Sequence, residues 1–134
     1  MMNWKLILLL VLVGAVMAVL SVFGVLQSSF ELILWVIFGI LSAYLIAKIG
    51  GRTPFLEGVT LGVISGIVNS VIQSSMFTTY LLNNPKSLDG FKEIPLSMPP
   101  QYLILFAGPF IGIIYGVVVG ILAMSLRKII ASNE

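Results

Sequence analysis

Three polar side chains in one apolar stretch have a spacing that could serve a binding site. Ser65, Asn69 and Gln73 recur at intervals of four residues, so on a helix they share one face. A primary amide is costly to place in lipid, so we expect Asn69 and Gln73 to point into a helix interface or a wet cavity. Two interpretations stay open: hydrogen bonds between helices, and a polar lining for a small ligand or ion near the bilayer midplane.

Hydroxyl groups continue this polar face beyond Gln73. The sequence there reads SSMFTTY, and hydroxyls on membrane helices usually bond back to carbonyls of their own helix. Together with the two amides they also indicate a polar path from mid-membrane to the outer surface. A ligand or ion pathway is therefore expected along Ser65, Asn69, Gln73, Thr78 and Tyr80.

The residue types that are missing exclude most enzymatic chemistry. The 134-residue chain has no Cys and no His, and its one Asp, Asp89, lies in a polar loop. Thiol and imidazole catalysis, an aspartyl pair and a multi-Asp metal cradle are thereby excluded. The glycines also lack the strand-turn-helix setting of a phosphate loop. We predict a protein that is not an enzyme, with no cofactor, no metal site and no nucleic-acid partner.

The composition is that of a membrane protein. Hydrophobic residues make up 59% of the chain and charged residues 9%, against about 25% charged residues in soluble domains. Four apolar runs each approach or exceed the roughly 20 residues with which a helix crosses a bilayer. They predict an all-α integral membrane protein, a single domain over residues 1–134 that forms a four-transmembrane-helix bundle. The expected spans are 5–26, 31–49, 55–82 and 102–126, with an outer loop at 83–101.

Two helix starts can be placed from the chemistry of their ends. Ser28 and Glu31 have the spacing of a capping box, which predicts the start of the second span. Thr53 followed by Pro54 predicts a cap and a first helical residue for the third span. Glu57 then lies in the first turn, where the helix dipole favours an anion, although a proton-coupled carboxylate is the functional alternative.

The basic residues predict how the four spans are oriented. Five of them fall on one side of a four-span zigzag, and only two fall on the other, where two acids offset them. By the positive-inside rule, both termini are expected in the cytoplasm, and we expect a bacterial inner membrane. The five are Lys5, Lys48, Arg52, Arg127 and Lys128; the two are Lys86 and Lys92, with Asp89 and Glu93 beside them.

Small residues recur every four positions in the last two spans. Membrane helices associate by close backbone approach along such small-xxx-small surfaces, a pattern known as a glycine zipper. We predict helix packing through both series, against each other or across a dimer, as a fixed contact or as a sliding interface. Pro109 predicts a kink, which could be static or a hinge. The series are Gly58, Gly62, Gly66 and Ser70 in the third span and Gly108, Gly112, Gly116 and Gly120 in the fourth.

The outer loop is the longest polar connection. Asn84 and Pro85 can open a short helix, and Leu88, Phe91 and Ile94 would give it an apolar edge. Such an edge suits an anchor on the headgroups, and a lid over the polar path is the alternative.

Two families of small membrane proteins provide a comparison. Length and span count are similar to those of small multidrug exporters, but the first span lacks their Glu. Asn69, Phe77, Thr78 and Thr79 resemble the Asn, Phe and Thr residues of fluoride channels, although their order and the charge bias differ. Neither function is carried over.

The sequence therefore leaves three possible functions. The preferred one is non-enzymatic association, in the lipid bilayer, with itself or with other membrane proteins in a larger assembly. The competing hypothesis is a small channel or transporter, a homodimer because four helices alone enclose little volume. The third is lipid binding or pore formation of the holin type.

Overall fold

The computed structural model describes residues 1–89, 93 and 97–133, and no strand occurs in this part of the chain. Four of its helices are long and apolar enough to cross a membrane. The all-helical, four-span architecture predicted from the sequence is thereby confirmed. The elements are α1 (Trp4–Val22), α2 (Ser28–Ile49), α3 (Pro54–Ser75), the short α4 (Phe77–Asn83), a 3-10 turn (Pro85–Leu88) and α5 (Pro100–Ser132).

The first helix ends at Val22, four residues before the predicted boundary. The amide of Gly24 donates to the carbonyl of Ser21 (3.0 Å), and the amide of Val25 donates to that of Leu20 (3.1 Å). Gly24 has a φ of 71°, the left-handed conformation that glycine adopts without steric cost. This pattern is a Schellman motif. The helix therefore stops before residue 26, the predicted end of the span, because the glycine ends it.

The start of α2 differs from the predicted capping box. The helix begins at Ser28 and its N-cap is Gln27, which makes no side-chain capping bond. Glu31 instead accepts a hydrogen bond from Ser21 Oγ at 2.9 Å, which ties α2 to the end of α1. The side chain of Ser28 lies outside the described part of the structure.

The start of α3 agrees with the sequence. Thr53 is the N-cap, Pro54 is the first helical residue and Glu57 lies in the first turn. Thr53 makes no side-chain capping bond, however, and its Oγ1 is buried without a hydrogen-bond partner.

The predicted third span is two helices, because the chain leaves helical geometry at Met76. Just before this break, Ser75 Oγ donates to the carbonyl of Ile72 (3.1 Å) and Ser74 Oγ donates to the carbonyl of Gln101 (3.0 Å). Such bonds from hydroxyls to the main chain compete with the helical ladder and bend helices. The residues predicted as one span over 55–82 therefore form one long and one short helix.

The last span is longer than predicted. α5 contains 33 residues and continues through Pro109 without interruption, so the kink or hinge stays a prediction. At 1.5 Å per residue it is about 50 Å long, whereas the hydrocarbon core is about 30 Å thick. The charged turn at Arg127 and Lys128 continues the helix beyond the apolar run.

The most extensive helix contact joins α3 and α5, which run antiparallel. Their small-residue series lie against each other within one chain, and a Cβ added at any of the seven glycines would overlap the opposite helix. The facing pairs are Gly58 with Gly120, Gly62 with Gly116, Gly66 with Gly112, and Ser70 with Gly108. At the three glycine pairs no side chain separates the two backbones, and at the fourth position only the small side chain of Ser70 lies between them.

The other two long helices flank this pair. α1 packs mainly on α3, and α2 packs mainly on α5. The fully buried side chains near the middle of this packing include Ile7, Ile46, Leu61 and Val119, one from each long helix. They fill the half of the molecule that lies toward both chain termini.

At the end of the molecule that holds both termini, here called the terminal end, one guanidinium connects α5 to α2 and to the loop that follows α2. Arg127 of α5 donates to the carbonyls of Ile46 (2.7 Å), Ala47 (3.1 Å) and Gly51. The last carbonyls of a helix have no partner within it, so Arg127 caps the end of α2 and holds it against α5.

A buried carboxylate organises the same end. Glu57 is fully buried, and its Oε1 accepts the amides of Asn3 (2.5 Å) and Gly51 (2.7 Å). Glu57 thus connects the segment before α1 to the α2–α3 loop, and it does not pair with the neighbouring Arg52.

At the opposite end, here called the loop end, two asparagine side-chain amides connect the end of α4 to the end of α1. Asn83 Nδ2 donates to the carbonyl of Val22 (3.2 Å), and Asn84 Nδ2 donates to that of Ser21 (2.9 Å). Asn84 is the N-cap residue of the 3-10 turn that begins at Pro85, although its side chain makes no capping bond; the sequence predicts a short helix here. The apolar edge and lid predicted beyond it depend on Phe91 and Ile94, which lie outside the described residues.

The backbone contact can be tested with two matched substitutions. Gly62→Ala places a Cβ against the backbone of Gly112 and Gly116, and should lower the free energy of unfolding by about 1–3 kcal/mol through overpacking. In Gly14→Ala the new Cβ would lie 3.6 Å from its nearest neighbours, an ordinary contact. That variant should be neutral or more stable by up to about 1 kcal/mol, because alanine is the better helix former. Reversible unfolding in mixed micelles measures both; equal destabilisation would contradict the packing described.

The role of Arg127 can be tested without changing charge. Arg127→Lys keeps the cation but cannot donate to three carbonyls in a fixed fork, so it should cost about 1–3 kcal/mol of unfolding free energy. Arg52→Lys is the control, because the Arg52 side chain is exposed. If both variants unfold alike, Arg127 does not hold the terminal end together.

Candidate functional site

A cavity of about 370 Å³ lies between α2, α3 and α5, in the half of the molecule toward the loop end. It follows from the close approach of α3 and α5. The glycines that let the two backbones meet have no side chains to fill the trough beside the contact, so α2 only partly covers it. The trough includes Gly62, Gly66, Ser70, Gly108 and Gly112.

Four of the five predicted pathway residues line this cavity. They are Ser65, Asn69, Gln73 and Tyr80; Thr78 is exposed and does not line it. The first three come from one face of α3, as their four-residue spacing predicts. Tyr80 is brought in by α4 after the break at Met76, so the polar residues follow a bent path.

The remaining predicted packing residues lie outside the cavity. Gly58, Gly116 and Gly120 belong to the terminal-end part of the contact between α3 and α5 and are absent from the lining. The contact between α3 and α5 therefore has two parts. Toward the terminal end the two backbones meet away from the cavity, and toward the loop end the contact borders the cavity.

Two polar atoms beside the cavity are buried without a hydrogen-bond partner in the described chain. They are Asn69 Oδ1 and Ser65 Oγ. The Ser65 hydroxyl lies toward α1, 3.6 Å from where a Cβ on Gly14 would be. A buried polar group left unpaired costs about 1–3 kcal/mol, so native proteins seldom keep one without a reason. Asn69 is the stronger candidate for a ligand contact, because the Ser65 hydroxyl lies toward α1.

An aromatic pair forms another part of the wall. The rings of Trp35 and Tyr115 meet edge to face with centroids 5.6 Å apart, and Tyr115 Oη donates to the carbonyl of Trp35 at 3.1 Å. Gly39 makes room for this arrangement, since a Cβ there would lie 3.0 Å from Tyr115 Oη. The sequence analysis did not identify Trp35 or Tyr115, because each is one aromatic residue in an apolar helix. Only the tertiary structure brings them together.

The cavity opens to one side and is closed at the other. Its two exposed lining residues are Leu32 of α2 and Ile111 of α5, at 67% and 65% exposure. The opening is therefore lateral, between these two helices. Toward the terminal end the buried side chains of Ile46, Leu61 and Val119 fill the interior. A continuous pore is absent from the described residues in this conformation.

The chemistry of the wall selects against ions. Among the described residues, none of those that line the cavity is charged. A bare ion would lose its hydration without gaining a counter-charge, whereas a neutral molecule could place an apolar body against the aromatic pair and a polar group against the amides. No group of three or more His, Cys, Asp or Glu able to hold a metal ion occurs in the part of the chain that the structure describes.

Comparisons with protein-family models, with curated proteins and with solved structures each find no match to this chain. No analogy of fold or family therefore assigns an activity, and the function has to be inferred from the chemistry of the cavity itself.

Proposed function

We propose that this protein is a non-enzymatic integral membrane protein that binds a small neutral solute in the cavity and acts as a small transporter or channel. The observation that carries the proposal is the buried Asn69 Oδ1, an acceptor without a partner at the edge of a 370 Å³ space. A ligand with a hydrogen-bond donor would satisfy this atom once the Asn69 amide turns toward the cavity.

The cavity also limits the kind of ligand. Its volume is at the small end of the roughly 300–1,000 Å³ typical of ligand sites. The lining combines the ring edges of Trp35 and Tyr115 with the amides of Asn69 and Gln73. This combination fits a compact molecule with an apolar body and at least one hydroxyl or amine hydrogen.

The closed terminal half favours a transporter over a permanently open channel. Closure of a mid-membrane site toward one face of the membrane is what alternating access requires of each state, and the lateral opening would admit the solute from the bilayer. The contact between α3 and α5 in the closed half is backbone against backbone, so no interlocked side chains oppose a shift of one helix along the other. The four spans would then work as a single transmembrane bundle.

We place the terminal end in the cytoplasm and the protein in a bacterial inner membrane. Lys5, Lys48 and Arg52 all belong to helix ends or loops at the terminal end, as do Arg127 and Lys128 of α5. An excess of basic residues on one side of short loops sets orientation in this sense. The outer loop has only two basic residues, and Asp89 and Glu93 offset their positive charge. This charge balance supports the same orientation.

Association with a second copy is the other candidate function, and the lateral opening supports it. The small-residue series, which the sequence offers as an association surface, are occupied within one chain. A partner would therefore have to use a different face. A second copy lying over Leu32 and Ile111 would close the opening and complete the cavity.

The binding proposal can be tested with Trp35 as the reporter. In a Trp4→Phe background, benzyl alcohol should change Trp35 emission saturably, and Asn69→Leu should weaken that binding about tenfold by removing one hydrogen bond. Toluene, which has the same ring but no donor, should not distinguish the two proteins. Thr78→Val is the control, because Thr78 lies outside the cavity.

A second variant fills the space. Ala107→Phe adds a ring to the wall and should abolish saturable binding of both probes while leaving the helical content unchanged by circular dichroism. If Asn69→Leu and Ala107→Phe titrate like the parent protein, the cavity is not a binding site.

Dimerisation over the opening can be tested by crosslinking, because the chain has no cysteine. Ile111→Cys should give a disulfide-linked dimer in native membranes treated with oxidant. Leu12→Cys, on α1 and comparably exposed at 62%, should give at least fivefold less. Equal crosslinking at the two positions would indicate random collision.

A further inference from the structure

A second opening lies at the terminal end, between the first turn of α3 and the last turns of α5. It is a groove of about 500 Å³ that shares no residue with the cavity described above. Its floor is apolar and its rim is basic. The floor is formed by Phe55, Leu56, Met124 and Ala131, and the rim by Arg52 and Lys128.

Among the described residues, no acid pairs with the two rim cations. Arg52 and Lys128 are both exposed, and neither side chain forms a hydrogen bond or ion pair with a described residue. Glu57, the acid closest in sequence to Arg52, is fully buried with Oε1 on the amides of Asn3 and Gly51. The groove therefore presents two free positive charges above an apolar surface.

Two features of the wall strengthen this field. Arg127 also lines the groove, and its position is fixed because its guanidinium caps α2. The rim also includes the start of α3, whose first-turn amides have no acceptor within the helix and whose dipole favours an anion. The positive charges and the helix dipole thus both favour an anionic ligand.

The groove lies at the depth of lipid headgroups. α3 begins at Pro54, and α5, at about 50 Å, is longer than the hydrocarbon core. Its last turns, which carry Lys128 and Ala131, therefore emerge where a span ends. A ligand there meets hydrocarbon on one side and water on the other.

We propose that this groove binds one anionic phospholipid. The phosphate lies between Arg52, Lys128 and the start of α3, and an acyl chain covers Leu56 and Met124. The apolar floor favours a lipid over a free phosphate, because only a lipid covers that floor. The two uncompensated cations favour an anionic over a zwitterionic headgroup, as basic pockets between membrane helices generally do. This site does not depend on the function proposed for the cavity.

Lipid-dependent stability tests the proposal. Delipidated protein in detergent is titrated with dioleoyl phosphatidylglycerol, with dioleoyl phosphatidylcholine, and with inorganic phosphate, and the midpoint of thermal unfolding is recorded. Phosphatidylglycerol should raise the midpoint by several degrees, since a ligand that binds only the folded state stabilises it. Phosphatidylcholine should give less than a third of that shift, and inorganic phosphate none.

Two matched double variants locate the effect. Arg52→Gln with Lys128→Gln should lose at least two thirds of the shift caused by phosphatidylglycerol. Lys5→Gln with Lys48→Gln removes the same charge from the same end, away from the groove, and should keep it. Equal responses to the two phospholipids, equal losses in the two double variants, or a full response to inorganic phosphate would each overturn the proposal.

A further variant tests the groove if the protein with Arg52→Gln and Lys128→Gln does not fold. Ala131 is exposed on α5, so Ala131→Glu should fold normally while placing an acid over the floor. It should reduce the phosphatidylglycerol shift at least threefold and leave the midpoint without lipid unchanged. An undiminished shift in this variant would exclude the groove as the site.

Discussion

The structure depends on one contact, the direct approach of the α3 and α5 backbones. Lipid supplies no hydrophobic force between helices, so they are held by packing at short range. Glycine at seven of the eight facing positions, and serine at the eighth, allows this. The other two long helices pack on either side of the pair, α1 against α3 and α2 against α5. The cavity follows from the same contact, since residues without side chains can bring two helices together but cannot fill the space beside them.

The two ends of the molecule are stabilised differently. At the terminal end, Arg127 and Glu57 bind backbone groups of three different segments. At the loop end, Asn83 and Asn84 bind the last carbonyls of α1. Hydrogen bonds to charged groups are roughly twice as strong as those between neutral groups. The closed half is therefore held together by the stronger hydrogen bonds, and the half that contains the cavity is held together by the weaker ones.

Much of this architecture could be predicted from the residues. Span number follows from the length of apolar runs, and the four-residue spacing of small residues indicated which helix faces would meet. Three of the five predicted pathway residues share the cavity with these faces because helical geometry dictates it. The end of α1 could also have been placed, since Gly24 carries the usual signature of a helix stop.

Other features are set by tertiary structure and leave no local signal. The break at Met76 falls among Ser, Thr and aromatic residues, which are weaker helix formers than Ala or Leu, but their types do not indicate at which residue the helix ends. This break redirects Tyr80 into the cavity while leaving Thr78 outside. Trp35 and Tyr115 are more than 60 residues apart in the sequence, so their pairing depends on how α2 lies on α5. The partners of Glu57 are backbone amides, which every residue has, so no residue pattern could indicate them.

The order of the helices has a consequence for biosynthesis. α3 is made before α5, so when it leaves the translocon its glycine face and the amides of Asn69 and Gln73 have no permanent neighbour. Until the ribosome has added the intervening loop and then α5, the nascent chain must keep its least apolar span beside the insertion machinery or a chaperone. A ribosome that stalls in that loop would leave a molecule with three spans, in which the glycine face of α3 has no helix packed against it.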